Sequence, residues 1–288
     1  MTPRLVVAIA LLTIREIARR RVLLVLFGLS VISVLLVGWG TDRLVGLSRE
    51  EGVGELQIRV GVSQVLILIA FMFSFILAMS AAFLGAPAIA SDVESGTALA
   101  MLARPLRRAE LLVGRWLGLA VVVVAYAALS GLLAIAVVAF TTGHTPPAPL
   151  VAVGFLGFEA VIVLTLALSL GTRLPSMAAG AITVVVFALA WFAGVLGGIA
   201  SALDARPLTA ATEALRVIMP TDALWRGVVY GLEPPIVDMI LAGRFGNALD
   251  ANPFYATAPP PMPVVLWAIA WIVMVLGAGI WLFRRREL

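Results

Sequence analysis

The chain is dominated by long runs of hydrophobic residues that short polar stretches separate. A helix that crosses a membrane needs about 20 apolar residues, and six runs reach that length. They occupy residues 22–40, 62–90, 116–140, 150–171, 176–202 and 264–283. Near the end of the second run, Gly85 and Pro87 predict a kink or a projection into water. The pattern therefore predicts an all-α polytopic membrane protein, with residues 1–288 forming a single domain of six transmembrane helices.

The N-terminal apolar stretch, residues 5–14, is too short to cross a membrane. A cleaved signal peptide would carry its positive charge before such a stretch and small residues at a cleavage site after it. Here Arg15 and Arg19 follow the stretch, together with Arg20 and Arg21. We therefore predict that residues 1–21 form a cytoplasmic interfacial helix that leads into the first span.

Composition supports a membrane location and excludes several chemistries. Hydrophobic residues make up 62% of the chain and charged residues 12%, against about a quarter charged in a globular protein. There is no cysteine, so no disulfide or thiolate site can form, and the single histidine, His144, is expected to be solvent-exposed. All 20 basic residues are arginine, and without lysine the phosphate-binding loop of ATPases cannot occur. We predict no catalytic residue, cofactor, metal or nucleic-acid site, and any ATP must be bound by another chain.

The arginines also predict the orientation, because cytoplasmic loops are enriched in positive charge. With six spans, 13 of the 20 arginines lie on the side of the two termini: Arg4, Arg15, Arg19, Arg20, Arg21, Arg104, Arg107, Arg108, Arg115, Arg173, Arg284, Arg285 and Arg286. The chain is therefore expected to be a multi-pass protein of the cell membrane with both termini in the cytoplasm.

Residues 91–110 form the polar segment between the second and third spans, on the predicted cytoplasmic side. Gly96 permits a turn, and Thr97 can cap a short helix with leucines on one face. Pro105 disfavours helical backbone at the residue before it, so this helix ends there. Composition alone favours an ordinary connecting loop that carries arginines at the membrane surface.

The order of residues in this segment resembles the signature of ABC-2 type transporter permeases, the membrane subunits of a large class of ABC exporters. The family signature lies between the second and third spans. It consists, in order, of an acidic residue, Gly-Thr, a Leu-rich turn, a proline followed by a hydrophobic residue, Ser-Arg and Gly-Lys. The matching positions here are Asp92 or Glu94, Gly96, Thr97, Leu102, Pro105, Leu106, Arg108 and Gly114. Arg107 stands where the family has serine, and Arg115 replaces the lysine. The basic N-terminal helix and the six spans extend the resemblance over nearly the whole chain.

The resemblance implies that the segment is a coupling helix that docks into a groove of a separate ATPase subunit. An apolar face could fill the partner's pocket, and arginines around it could pair with acidic residues. The residues assigned to coupling are Asp92, Glu94, Gly96, Thr97, Leu99, Leu102, Arg104, Pro105, Arg108 and Arg115. A second permease copy or a homologue would complete the transport pathway.

Residues 203–263 form the second long polar excursion, between the last two spans and on the predicted outer side. Leu208 and Leu215 lie at helical spacing before Pro220, and a similar stripe follows from Leu224. We expect two amphipathic helices on the outer membrane surface. The segment could act as a structural cap over the spans or as a substrate lid.

Glu159 is the one acidic residue that falls inside a predicted span, near its middle. A charge there costs about 2.5–3.5 kcal/mol even on the mildest insertion scale. The side chain must be protonated, hydrogen-bonded between helices or directed towards a wet path, so packing and substrate transport both remain open.

These observations predict the transmembrane permease subunit of an ATP-driven ABC exporter, surrounded by membrane lipids and not itself an enzyme. One alternative is an integral membrane enzyme that acts on lipid-linked substrates, although Glu159 has no acidic or histidine partner within its span. The other is a membrane anchor that assembles partners without transport. The identity of the substrate does not follow from the sequence.

Overall fold

A computed structural model describes residues 3–19, 21–95, 107–202, 205–234, 252–256 and 258–286. Every regular element within these ranges is helical. In chain order the helices are α1 (Pro3–Ala18), α2 (Arg21–Glu50), α3 (Glu55–Gly85), α4 (Pro87–Glu94), α5 (Arg108–Thr142), α6 (Pro149–Gly171), α7 (Ser176–Ala202), α8 (Arg206–Ile218), α9 (Thr221–Leu232) and α10 (Met262–Arg284). Six candidate spans occur in this part of the chain, in α2, the α3–α4 pair, α5, α6, α7 and α10. The predicted all-α polytopic membrane fold is confirmed.

The helix α6 lies at the centre of the bundle and packs against α3, α5, α7, α9 and α10. Three consecutive residues, Ile162, Val163 and Leu164, are each fully buried. Because consecutive residues of a helix point in different directions, this part of α6 is largely enclosed by protein rather than by lipid. A polar side chain on this helix must therefore find its partners inside the bundle.

The hairpin of α2 and α3 extends beyond the hydrophobic runs that predicted it. The first run ends at residue 40, whereas α2 continues to Glu50, and α3 already begins at Glu55. Val45 of α2 is buried in a small cluster with Ile58, Val62, Leu66 and Val138. Burial in this cluster stabilises helical turns that are too polar to be recognised as part of a span. The turn itself uses Gly52 at φ 76°, a backbone conformation that glycine adopts without strain.

The helix is interrupted at the place where Gly85 and Pro87 predict a kink or a projection into water. The helix α3 ends at Gly85, Ala86 follows, and α4 begins at Pro87, where proline is tolerated in a first helical turn. The helix α4 does not extend freely into water, because Ile89 and Ala90 are buried and α4 packs against α6 and α7.

The N-terminal helix α1 packs along α5. A side chain at Gly114 of α5 would place its Cβ atom 2.7 Å from Ile9, and one at Gly118 would lie 2.7 Å from the carbonyl oxygen of Ala10. Small residues therefore allow the close crossing of the two helices. The other face of α1 carries exposed apolar side chains such as Leu12, as expected of a helix in contact with a membrane surface.

The predicted helices of the second polar excursion both form, but only α8 has the exposed character of a surface helix. The helix α9 packs against α3, α6 and α7, with Leu224, Trp225 and Val228 at most 1% exposed. A side chain at Gly231 would approach the backbone nitrogen of Ala152 to 2.7 Å, so small residues permit this insertion. The expected surface position of α9 is therefore wrong, because its apolar residues cover more than one face.

The histidine between α5 and α6 is partly buried, in contrast to the exposed position expected for it. The ring nitrogen Nε2 of His144 lies 2.8 Å from the hydroxyl oxygen of Ser63. Burial and, to a smaller extent, the positive charge of Arg59 lower the pKa of His144 from its ordinary value. His144 therefore connects α3 to the start of the loop before α6.

Candidate functional site

The proposed coupling segment is only partly within the described residues. The coupling helix itself stays a prediction, because its residues lie outside the described ranges. These residues are Gly96, Thr97, Leu99, Leu102, Arg104 and Pro105. The two flanks of the segment are described. Asp92 and Glu94 belong to the end of α4, and Arg108 and Arg115 belong to the start of α5. We refer to these four residues as the flanking clamp.

Arg115 connects the two flanks directly. Its guanidinium forms an ion pair with the carboxylate of Asp92 and donates a hydrogen bond of 2.5 Å to the carbonyl oxygen of Ala88. The side chains of Arg115 and Asp92 are 13% and 16% exposed. An ion pair at this depth is screened less by water and salt than a surface pair. It holds α4 against the first turns of α5.

Glu94 connects the end of α4 to α7. Its carboxylate oxygen Oε1 accepts a hydrogen bond of 2.9 Å from the backbone N–H of Ser176, the first residue of α7. The first N–H groups of a helix have no partner within the helix and carry partial positive charge, so a carboxylate is favourable there. Glu94 thus caps α7 from a different helix.

Arg108 connects the start of α5 to the end of α10. Its Nη1 atom donates to the carbonyl oxygens of Phe283 at 2.8 Å and Arg286 at 2.6 Å, and the guanidinium lies 5.7 Å from the Phe283 ring centre. Carbonyl groups at a helix C-terminus lack partners and attract cations. Arg286 in turn donates to the carbonyl oxygen of Thr172 at 2.7 Å. Arg108 was expected to pair with acidic residues of a partner, but its guanidinium contacts this chain.

A second group of charged residues lies elsewhere in the bundle and includes Glu159. The Glu159 side chain on α6 is 4% exposed, and its Oε2 atom accepts a hydrogen bond of 2.8 Å from the hydroxyl of Ser74 on α3. Its carboxyl group also interacts electrostatically with Asp222 of α9. Glu159 is therefore enclosed between helices.

Two arginines converge on Asp222, which is 4% exposed. The Nε atom of Arg216 lies 3.1 Å from its Oδ2 atom, and the Nε atom of Arg226 lies 3.6 Å away. Arg216 also donates to the carbonyl oxygen of Gly194 at 2.9 Å, and the Asp222 carboxylate occupies the space that a side chain at Gly194 would take. We call Ser74, Glu159, Arg216, Asp222 and Arg226 the buried charge cluster.

A polar cavity of about 220 Å³ lies beside the buried charge cluster. Both arginines line it, together with Thr212 and Glu213 of α8. Because the cavity is open at one side, the two arginine side chains remain 33% and 23% exposed while Asp222 does not. Within the described residues, no three acidic or histidine side chains converge as a metal site would require.

Comparison with known proteins identifies the chain. A family model described as ABC-2 family transporter protein matches residues 7–288. The chain belongs to the ABC-2 transporter family. It is the membrane permease subunit of an ABC transporter, and this family implies association with an ABC ATPase subunit. The family is a transporter component and not itself an enzyme, which argues against the membrane-enzyme alternative. A search of curated proteins finds no match to the chain.

Sequence reasoning found Glu159 in this permease but missed the rest of the buried charge cluster. Asp222 and Arg226 are four residues apart on one helix, a spacing that favours an ion pair and was visible in the sequence. Arg216 and Ser74 carry no such signal, because they reach the cluster from α8 and α3. Their contribution depends on how separate helices pack.

Proposed function

We propose that this permease is the membrane subunit of an ATP-driven exporter in which a separate ATPase subunit hydrolyses ATP. The family match over residues 7–288 carries the proposal. The absence of lysine supports the separate ATPase, because the phosphate-binding loop needs one. A second permease, identical or homologous, would complete the pathway, since one bundle of six spans encloses little by itself.

In this proposal both termini and the flanking clamp face the cytoplasm. Arg108 joins the start of α5 to the end of α10, and Arg286 joins the end of α10 to the end of α6. Glu94 joins the end of α4 to the start of α7. These helix ends therefore share one side of the bundle. The excess of arginines on this side of the chain supports its cytoplasmic location.

Residues 96–106 would dock into a groove of the ATPase and transmit its closure to the spans. Leu99 and Leu102 would provide the apolar contact, and Arg104 the rim charge. Both flanks of the segment are attached to the bundle, so its displacement would reach the spans. A displacement of the segment would move α4 and α5 together through the Asp92–Arg115 pair.

The flanking clamp therefore acts by positioning the segment rather than by contacting the ATPase. Glu94 would carry the displacement to α7 and Arg108 would carry it to α10, since each contacts the end of that helix. Glu159 is assigned to packing between α3 and α6, because it is enclosed and accepts the Ser74 hydroxyl.

Co-expression of the permease with its ABC ATPase subunit tests the proposal. Leu102→Asp should abolish both co-purification and ATP turnover, because an unpaired carboxylate buried in a docking groove costs several kcal/mol. The matched control is Leu102→Met, which preserves volume and apolar character and should behave like the parent.

The proposed docking role is wrong if Leu102→Asp retains assembly and ATP turnover at parental levels. Expression and membrane insertion must be equal for the compared variants. A connector that contacts no partner would tolerate the aspartate, because the same change in a solvated loop has almost no cost.

A further inference from the structure

A large apolar cavity lies between the helices, separate from both groups of charged residues. It has a volume of about 480 Å³, within the usual range of roughly 300–1,000 Å³ for small-molecule sites. Its walls come from α2, α3 and α5, and α6 and α9 complete it through residues such as Leu156 and Val228. The helix α2 packs on α5 more extensively than on α3, and this uneven packing leaves the space between them.

The chemistry of the cavity wall restricts what can bind. The residues that line it are aliphatic or aromatic except for four hydroxyl-bearing side chains: Ser30, Ser33, Tyr126 and Ser130. None of these lining residues, all within the described ranges, carries a charge. A ligand with a full charge would lose its hydration without gaining an ionic partner, at a high cost in free energy.

Ser130 provides a polar side chain in the wall of the cavity. Its side chain is 2% exposed, and its hydroxyl oxygen has no hydrogen-bond partner in the described structure. Hydroxyl groups on spanning helices usually donate to the carbonyl group four residues earlier, as Thr142 and Thr183 do here. A buried hydroxyl without a partner is unfavourable, so a ligand that accepts its hydrogen bond would gain affinity.

A second polar point lies in the same wall. The hydroxyl oxygens of Ser30 and Tyr126 are 2.5 Å apart, so this pair joins α2 to α5. Three of the four exposed lining residues, Leu29, Met72 and Ile76, are apolar, and the fourth is Ser33. The mouth of the cavity is therefore suited to contact with lipid rather than water, and a ligand would enter from the membrane.

We propose that this cavity is a binding site for a neutral long-chain amphiphile, whose hydrocarbon chain fills the apolar space and whose hydroxyl or carbonyl group bonds to Ser130. An uncharged alcohol or ester fits both the uncharged wall and the unpartnered hydroxyl of Ser130. The site does not depend on the proposed export function, because binding is a property of the permease alone. Occupation would place the ligand against α6 and α9, the helices that also carry Glu159 and Asp222.

The test uses the purified permease in phosphatidylcholine vesicles without any ATPase. A hexadecanol with a photoreactive diazirine in its chain is added at low mole fraction, irradiated, and located by mass spectrometry of the labelled peptides. Labelling should concentrate on the lining residues of α3 and α5. Unlabelled hexadecanol should compete, whereas hexadecyl sulfate and hexadecyltrimethylammonium should not.

Three variants distinguish the cavity from the general lipid surface. Ser130→Ala should weaken competition by hexadecanol by about fivefold, the loss expected for one hydrogen bond. Ala134→Phe places a ring in the cavity, since Ala134 lines it, and should abolish labelling there. Ala136→Phe is the matched control, because Ala136 lies on an exposed face of the same helix, and it should leave labelling unchanged.

The proposal would be overturned if labelling spread evenly over the lipid-facing residues and Ala134→Phe and Ala136→Phe gave equal signals. That result would mean that the probe behaves as ordinary membrane lipid. Equal competition by the charged amphiphiles would overturn the assignment to a neutral ligand. Ser130→Ala preserves the cavity shape, so it tests the polar contact even if the larger phenylalanine disturbs folding.

Discussion

Arginine–carboxylate contacts stabilise two regions of this permease in different ways. In the flanking clamp the arginines divide their hydrogen bonds between Asp92 and several backbone carbonyl groups. In the buried charge cluster two arginines converge on the single carboxylate of Asp222. The clamp joins helix ends around residues 96–106, whereas the cluster joins α8 and α9 to the bundle core.

The difference predicts how each region responds to substitution. A guanidinium that is shared among carbonyl groups keeps partners when one contact is lost, because helix ends offer several free acceptors. The carboxylate of Asp222 is buried and pairs with two arginines, so its loss removes both ion pairs together. The cluster should therefore be the more sensitive region for folding, and the clamp the more sensitive region for coupling.

The largest expected effect is that of Asp222→Ala. It removes the buried carboxylate that pairs with both Arg216 and Arg226, and should lower the free energy of unfolding by about 3 kcal/mol, near the low end for a broken buried pair because both arginines are partly exposed. Denaturant unfolding in detergent measures the change. The control is Asp42→Ala at an exposed position of α2, which should alter stability little. Equal effects of the two substitutions would contradict the special role of Asp222.

An intermediate effect is expected in the clamp. A double-mutant cycle of Asp92→Asn and Arg115→Gln should give a coupling energy of about 1–2 kcal/mol, because the pair is largely buried. The matched control is the pair of Arg49 and Glu55, 3.1 Å apart but 52% and 63% exposed, for which the coupling should stay below about 0.5 kcal/mol. If the two pairs couple equally strongly, burial does not distinguish the clamp from a surface ion pair.

The smallest effect is expected from Glu159→Gln. The amide oxygen can still accept a hydrogen bond from the Ser74 hydroxyl. Stability should therefore change by less than about 0.5 kcal/mol or increase. Substrate-stimulated ATP turnover with the ATPase subunit should also be unchanged. A variant that folds normally but loses turnover would instead favour the substrate-path role of Glu159.

The candidate site was only partly predictable. The resemblance to ABC-2 type permeases selected Asp92, Glu94, Arg108 and Arg115 from their order along the chain. It did not predict that Arg108 contacts the carbonyl groups at the end of α10, 175 residues away. Such a contact depends on which helix ends become neighbours, and local residue patterns contain no information about that.

The sequence by itself determined the six spans, the break at Ala86 and the two helices α8 and α9. These features follow from local properties, namely the transfer of apolar residues into lipid, the effect of proline on the backbone, and helical spacing. Only the tertiary structure decided that α2 and α3 extend beyond their hydrophobic runs, that α9 is buried, and that Arg216 meets Asp222. The physical reason is that these outcomes depend on packing between helices, where glycines, cavities and distant charges are brought together.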